Sequence, residues 1–223
     1  MKKEKIDVQF LCTYLAGIII GLTLSLGRLL GSVKVQGLEN FPHGKQRILV
    51  VSNHPYKGEH FLLIALFFPR YLLKPFLYAP WIMADMKNYF NKFPWRLFRS
   101  KLISVNRTGK LTGADSLELA YETMKRGGNI IMFPQGTRTS KIPKENLMRS
   151  PKKDKPMGPL KPGFARLATE VPGVMLVPVW SEINSWRNVR FTIGKSMSFA
   201  NTSRKEVVDM TEKYLLQLAD QTS

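Results

Sequence analysis

Apolar residues fall along this chain in two patterns. The first is one long run: from residue 8 to 30 nearly every position is apolar, interrupted by Gln9, a few hydroxyl residues and Arg28. A run of that length can cross a bilayer. It is too long for a secretory signal, shows no small-residue cleavage site, and is apolar on more faces than a helix with one side in a core. Gly17 and Gly21 make a re-entrant hairpin the alternative to a single helix. The second pattern is a series of short apolar bursts bounded by Gly, Pro and Asn, read as strands at 33–37, 48–52, about 76–83, 101–105, 129–133, 174–179 and 189–193.

Helical spacing separates these bursts. Residues 61–68 and 86–97, the latter broken near Pro94, read as helices. So does 115–126, where Leu117, Ala120, Tyr121 and Met124 share a face and Gly127-Gly128 is the stop. Another helix is expected at 163–169. Ser203 and Glu206 form a capping box that starts a last one, with Val207, Met210, Tyr214, Leu215 and Leu218 as its apolar face. Residues 141–161 read as a basic, proline-bearing loop. Strands alternating with helices predict an α/β fold with a mixed, largely parallel sheet flanked by helices. The expected division is a membrane-anchoring helix or helical hairpin at 1–31 and an α/β domain at 32–223, facing the cytoplasmic side because most positive charge follows the apolar run.

Composition sharpens this picture. The chain has 223 residues and carries 34 Lys+Arg against 16 Asp+Glu, a formal net charge of +18. Such a balance calls for a polyanionic partner. The apolar leader favours a membrane surface, acidic carrier or phosphorylated substrate, so no nucleic-acid partner is expected. The single cysteine, Cys12, excludes intrachain disulfides and cysteine-rich metal sites.

The chemistry collects where strands are predicted to end. Asn53-His54-Pro55-Tyr56-Lys57-Gly58-Glu59 follows an apolar strand, so His54 sits in a loop at its C-terminal end. A carboxylate five positions later can accept from Nδ1–H, fix the tautomer and leave Nε2 to take a proton from a hydroxyl. Arg107 and the turn Gln135-Gly136-Thr137-Arg138 also follow predicted strands. In open α/β sheets the strands' C-terminal ends carry the site. Arginine beside a glycine turn suits phosphate, through its bidentate fork and the open approach to backbone N–H groups; Lys57 is placed to join it. There is no Gly-x-Ser-x-Gly elbow, and Cys12 lies in the leader, so no covalent nucleophile is evident. No metal site is expected.

These residues also resemble, in order, the blocks of the glycerolipid acyltransferases typified by 1-acylglycerol-3-phosphate acyltransferase. Asn53, His54 and Glu59 match the Asn-His-(four residues)-acid block, and 87–107 loosely match the second. Phe133-Pro134-Gln135-Gly136-Thr137-Arg138 is similar to Phe-Pro-Glu-Gly-Thr-Arg. Lys161-Pro162-Gly163-Phe164-Ala165 resembles a Lys-x-Gly-x-Ala segment, and Val177-Pro178-Val179 the fourth block. The resemblance covers about 33–180 and departs at two places: Glu59 stands where aspartate is usual, and Gln135 where glutamate is.

The resemblance implies a membrane-bound O-acyltransferase without a cofactor. His54 would act as general base and Glu59 as its partner. Lys57, Arg107, Gln135, Gly136, Thr137, Arg138 and Lys161 would bind substrate. Acyl-CoA or acyl carrier protein is the implied donor, lysophosphatidic acid the implied acceptor, and membrane lipids the surroundings. The alternatives are another lysophospholipid or amino-lipid acceptor, prompted by Gln135, and a silent lipid-binding homologue.

Overall fold

Asp7 caps the first helix, α1 (Val8–Leu29), its carboxylate accepting from the Phe10 amide at 2.7 Å. The computed structural model describes residues 7–44, 46–56, 59–68, 70–85, 93, 95–105, 113–185 and 188–222. Helix α1 runs unbroken through Gly17 and Gly21, so of the two expected forms the single helix is the one observed. Both glycines serve close packing instead. A Cβ on Gly17 would lie 2.5 Å from the Tyr71 hydroxyl oxygen, and one on Gly21 would enter the Phe68 ring. That contact seats one side of α1 on the domain, burying Phe10 and Leu24. The opposite side keeps Val8, Leu11, Leu15, Ile19, Leu22 and Leu26 between 49% and 72% exposed. Their spacing of three and four residues makes one continuous apolar stripe.

Among the described residues, seven strands form the main sheet, in the order β1 (Val33–Gln36), β9 (Asn188–Ile193), β8 (Val174–Ser185), β2 (Arg47–Ser52), β5 (Ile130–Met132), β3 (Trp81–Asp85) and β4 (Leu102–Val105). Every neighbouring pair is parallel except β8 with β9. The sheet is therefore mixed and largely parallel, as the alternation of elements predicts. Strand β2 lies at its centre with Ile48 to Val51 at most 1% exposed, which explains a continuous apolar run rather than an alternating one.

Each sheet face has its own core. Leu49 and Val51 pack with α5 (Gly113–Lys125), α6 (Gly163–Glu170) and α7 (Arg204–Gln221). Ile48 and Val50 pack with α1, α2 (Glu59–Leu63) and α3 (Arg70–Leu73). The chain leaving β2 enters α2 on one face, and the chain leaving β5 reaches α6 on the other. Adjacent strands whose connections part to opposite faces open a crevice at their C-terminal ends.

Several expected boundaries shift. Pro75 starts a helical turn, α4 (Pro75–Tyr78), so that strand begins only at Trp81. The helix expected at 86–97 falls largely outside the described residues; its end is a 3-10 segment, Trp95–Lys101. Residues 141–161 are not a simple loop. They carry a small antiparallel pair, β6 (Met148–Arg149) with β7 (Pro156–Met157), and Met157 is fully buried. The lysine tails fasten this hairpin to the end of α7: Lys153 and Lys155 Nζ donate to the Thr222 carbonyl at 2.7 and 3.2 Å. Cations at a helix C-terminus also oppose its dipole.

Candidate active site

One residue past the end of β2, the chain is pinned before it turns. The Asn53 side chain behaves like one more ladder position: Oδ1 accepts from the Ser181 amide at 2.7 Å, and Nδ2 donates to the Ser181 carbonyl at 3.0 Å. Asparagine suits this place because one side chain carries both an acceptor and a donor. His54 follows with its side chain 21% exposed, at the mouth of the crevice. Helix α2 starts at Glu59 and turns that carboxylate back onto His54 Nδ1. Glu59 is completely buried, so the imidazole screens it from water. Pairing through Nδ1 leaves Nε2 as the ring nitrogen available to a hydroxyl.

The turn after β5 reaches the same point from the neighbouring strand. Gly136 adopts φ +73°, a conformation glycine takes without the strain of a Cβ. Gln135, only 3% exposed, accepts from the His54 backbone N–H at 2.5 Å through Oε1. Its Nε2 donates to the Thr139 hydroxyl at 3.2 Å, and the Thr139 N–H donates to the His54 carbonyl at 2.9 Å. Both ends of the Gln135 amide are thus taken up within the protein. Arg138 and Thr137 continue the turn, half-buried. The β6–β7 hairpin returns the chain so that the Lys161 N–H donates to the Pro134 carbonyl at 2.9 Å. The Lys161 ammonium stands 3.0 Å from where a Cβ on Gly136 would be.

The structure therefore brings His54, Glu59, Gln135, Gly136 and the Lys161 ammonium together, with Thr137 and Arg138 on the same turn. Lys57 and Arg107 lie outside the described residues. The sequence reading passed over three residues here. Phe133 sets its ring 5.0 Å from that of His54, Thr139 holds the His54 carbonyl, and His60 packs behind, 6.4 Å from the Phe133 ring. Phe133 lay within the quoted motif; Thr139 and His60 carried no signal beyond their neighbours.

His60 is buried, and burial, with His54 nearby adding to it, pushes its pKa down to about 3 from 6.5. The folded protein therefore holds His60 neutral while the unfolded chain protonates it below about 6.5. Stability from this group is complete above that pH and falls as pH drops toward 3, by on the order of 5 kcal/mol. Unfolding of wild type and His60→Phe in detergent, compared from pH 7.5 to 4.5, should show the wild type losing stability faster. Parallel curves would remove His60 as the cause.

An apolar cavity of about 370 Å³ lies between α1 and strands β3 and β4, lined among others by Phe10, Tyr14, Gly17, Phe61, Ile82 and Leu102. Phe61 is two residues beyond Glu59, so the cavity shares α2 with the histidine's partner.

A histidine–carboxylate pair beside a cationic glycine turn is an arrangement chemically suited to moving a proton next to an anion. Comparison with known proteins identifies the family. The family model named Acyltransferase matches residues 32–182, and the chain belongs to that family. A chloroplastic 1-acyl-sn-glycerol-3-phosphate acyltransferase of Brassica napus is 25% identical over 146 residues, covering 65% of this chain and 36% of that protein. The enzyme of the same name from Pseudomonas aeruginosa is 31% identical over 108 residues, covering 47% of this chain and 37% of that one. The alignments span only about a third of the length of these relatives. In fold, the chain is similar to the 1-acyl-sn-glycerophosphate acyltransferase PlsC of Thermotoga maritima, with a TM-score of 0.60 at 19% identity, over 91% of this chain and 79% of that one.

Proposed function

We propose that this acyltransferase moves a fatty acyl group from an acyl thioester to the free hydroxyl of lysophosphatidic acid, giving phosphatidic acid. The observation that carries the reading is the His54–Glu59 pair held beside the Gly136 turn, which bears Arg138 and meets the Lys161 ammonium. The acceptor hydroxyl gives its proton to His54 Nε2 as its oxygen attacks the thioester carbonyl. Glu59 stabilises the imidazolium that forms. The carbon–sulfur bond then breaks, and the leaving thiolate takes the proton back from His54. The donor is acyl-CoA or an acyl carrier protein. Arg138 and Lys161, with Lys57 and Arg107 as further candidates, hold the acceptor's phosphate.

The apolar cavity beneath α1 supports a long-chain group as the cargo, since nothing along Phe10, Ile82 or Leu102 favours a polar one. The exposed stripe on α1 supports attachment to a membrane, the source of a lysolipid. Because Gly17 and Gly21 are packed against the domain halfway along the helix, α1 is proposed to lie against the bilayer by that stripe rather than to cross it. Gln135, buried and turned toward His54, gives no reason to prefer another acceptor.

A panel of lysophospholipids offered with labelled acyl donor to the full chain in membranes tests this assignment. Phosphatidic acid is expected as the main product. A preference for a choline, ethanolamine or amino-lipid acceptor would overturn the acceptor, and the absence of any labelled lipid would overturn acyl transfer.

A further inference from the structure

The three hydrogen bonds around Gln135 close a ring. From the His54 N–H it passes to Gln135 Oε1, from Gln135 Nε2 to the Thr139 hydroxyl, and from the Thr139 N–H back to the His54 carbonyl. Both backbone polar groups of His54 are held by the segment that carries Gly136 and Arg138. We infer that Gln135 is a positioning residue that clasps the backbone of His54 to the Gly136–Arg138 turn, fixing the histidine relative to whatever anion the turn binds. The inference rests on the proposed role of His54 but concerns a different property, its placement.

The surroundings are built for the clasp. Gln135 is 3% exposed, so an opened ring would leave a buried amide unsatisfied. Gly158, just past the β6–β7 hairpin, packs where a Cβ would come within 2.9 Å of Gln135 Nε2 and would also strike Ile142. The ring needs an acceptor facing His54 and a group facing a hydroxyl that either accepts or donates. An amide meets both needs, and so does a carboxylate, because the Thr139 hydroxyl can rotate to donate. The ring therefore tolerates Gln135 where the resembling family has glutamate. It does not tolerate an apolar side chain of the same length.

Gln135→Met should lower kcat about a hundredfold, the cost of a small misplacement of a reacting group, with KM for the thioester within about twofold of wild type. Gln135→Glu should recover most of that kcat, because it keeps the acceptor for the His54 N–H. Adding Thr139→Val to Gln135→Met should cost little more, since residues in one network do not add. Hydrogen–deuterium exchange of the backbone around His54 supplies a readout independent of activity. Exchange there should speed up in Gln135→Met and remain slow in Gln135→Glu. If acyl transfer is wrong, no variant turns over, yet the exchange pattern still decides the clasp. Wild-type kcat or unchanged exchange in Gln135→Met would overturn it, as would single effects that multiply in the double variant.

Discussion

Alanine at position 54 is expected to lower acyl transfer by roughly two to four orders of magnitude, the usual worth of a general base. The reasoning starts from which atoms remain. Glu59 is fully buried behind the imidazole and meets it at Nδ1, so removing the ring puts no second base where Nε2 stood. On the proposed reading, Lys161, Arg138 and the turn amides remain to bind the acceptor, and the cavity beneath α1 remains for the acyl chain. The loss should therefore appear in kcat, with KM for either substrate little changed. His54→Ala also leaves a buried carboxylate without its partner, which costs stability, so the comparison needs His54→Gln beside it. Glutamine keeps a polar group near Glu59 but cannot serve as a base near neutral pH. Single-turnover transfer from a labelled thioester, measured on both variants folded in detergent, decides the matter. Turnover near wild type in either one would remove His54 as the base.

Much of this site was legible because it depends on local order. An apolar run stopped by Asn53 and Pro55 puts His54 at a strand end, and a helix starting at Glu59 needs only local turning to bring its carboxylate back. The meeting of Lys161 with Gly136 was available only through resemblance, since it depends on a hairpin folding 141–160 out of the way. Resemblance assigns Gln135 to substrate binding, and position in a motif says nothing about which way its amide turns. Its burial against His54 is a tertiary fact. The same limit shows far from the site. Met210, expected on the buried face of α7, is 45% exposed, while Thr211 is fully buried. The Thr211 hydroxyl returns to the Val207 carbonyl at 2.6 Å, which satisfies it inside the helix, and a count of apolar residues passes over such a position. In α1, glycine loosens a helix in isolation, which is why sequence alone leaves a bend open there. Against Tyr71 and Phe68 the missing side chains became the means of contact.

That contact frames the second large effect. Leu11, Leu15 and Leu22 stand on the exposed side of α1, 49%, 50% and 56% exposed, and none of them lines the cavity beneath it. Replacing all three with glutamine is expected to weaken membrane partitioning about a thousandfold, from roughly 4 kcal/mol of apolar burial lost at half-exposed leucines. Ile19 is left in place because it reaches the cavity as well. The helix itself should persist, since the packing of Gly17, Gly21, Phe10 and Leu24 on the domain is untouched. The net charge of +18 offers a competing account of attachment, and salt separates the two. Attraction between surface charges is screened within about 8–10 Å at physiological ionic strength and more steeply in high salt, whereas burial of leucine is not. Wild type should sediment with vesicles of zwitterionic lipid even in concentrated salt, and the triple variant should stay in the supernatant. If salt alone releases the wild type, the charge holds the protein to the membrane and the stripe on α1 does not. If the triple variant still sediments in salt, other apolar surface such as Leu73 and Phe76, 80% and 45% exposed, carries the attachment.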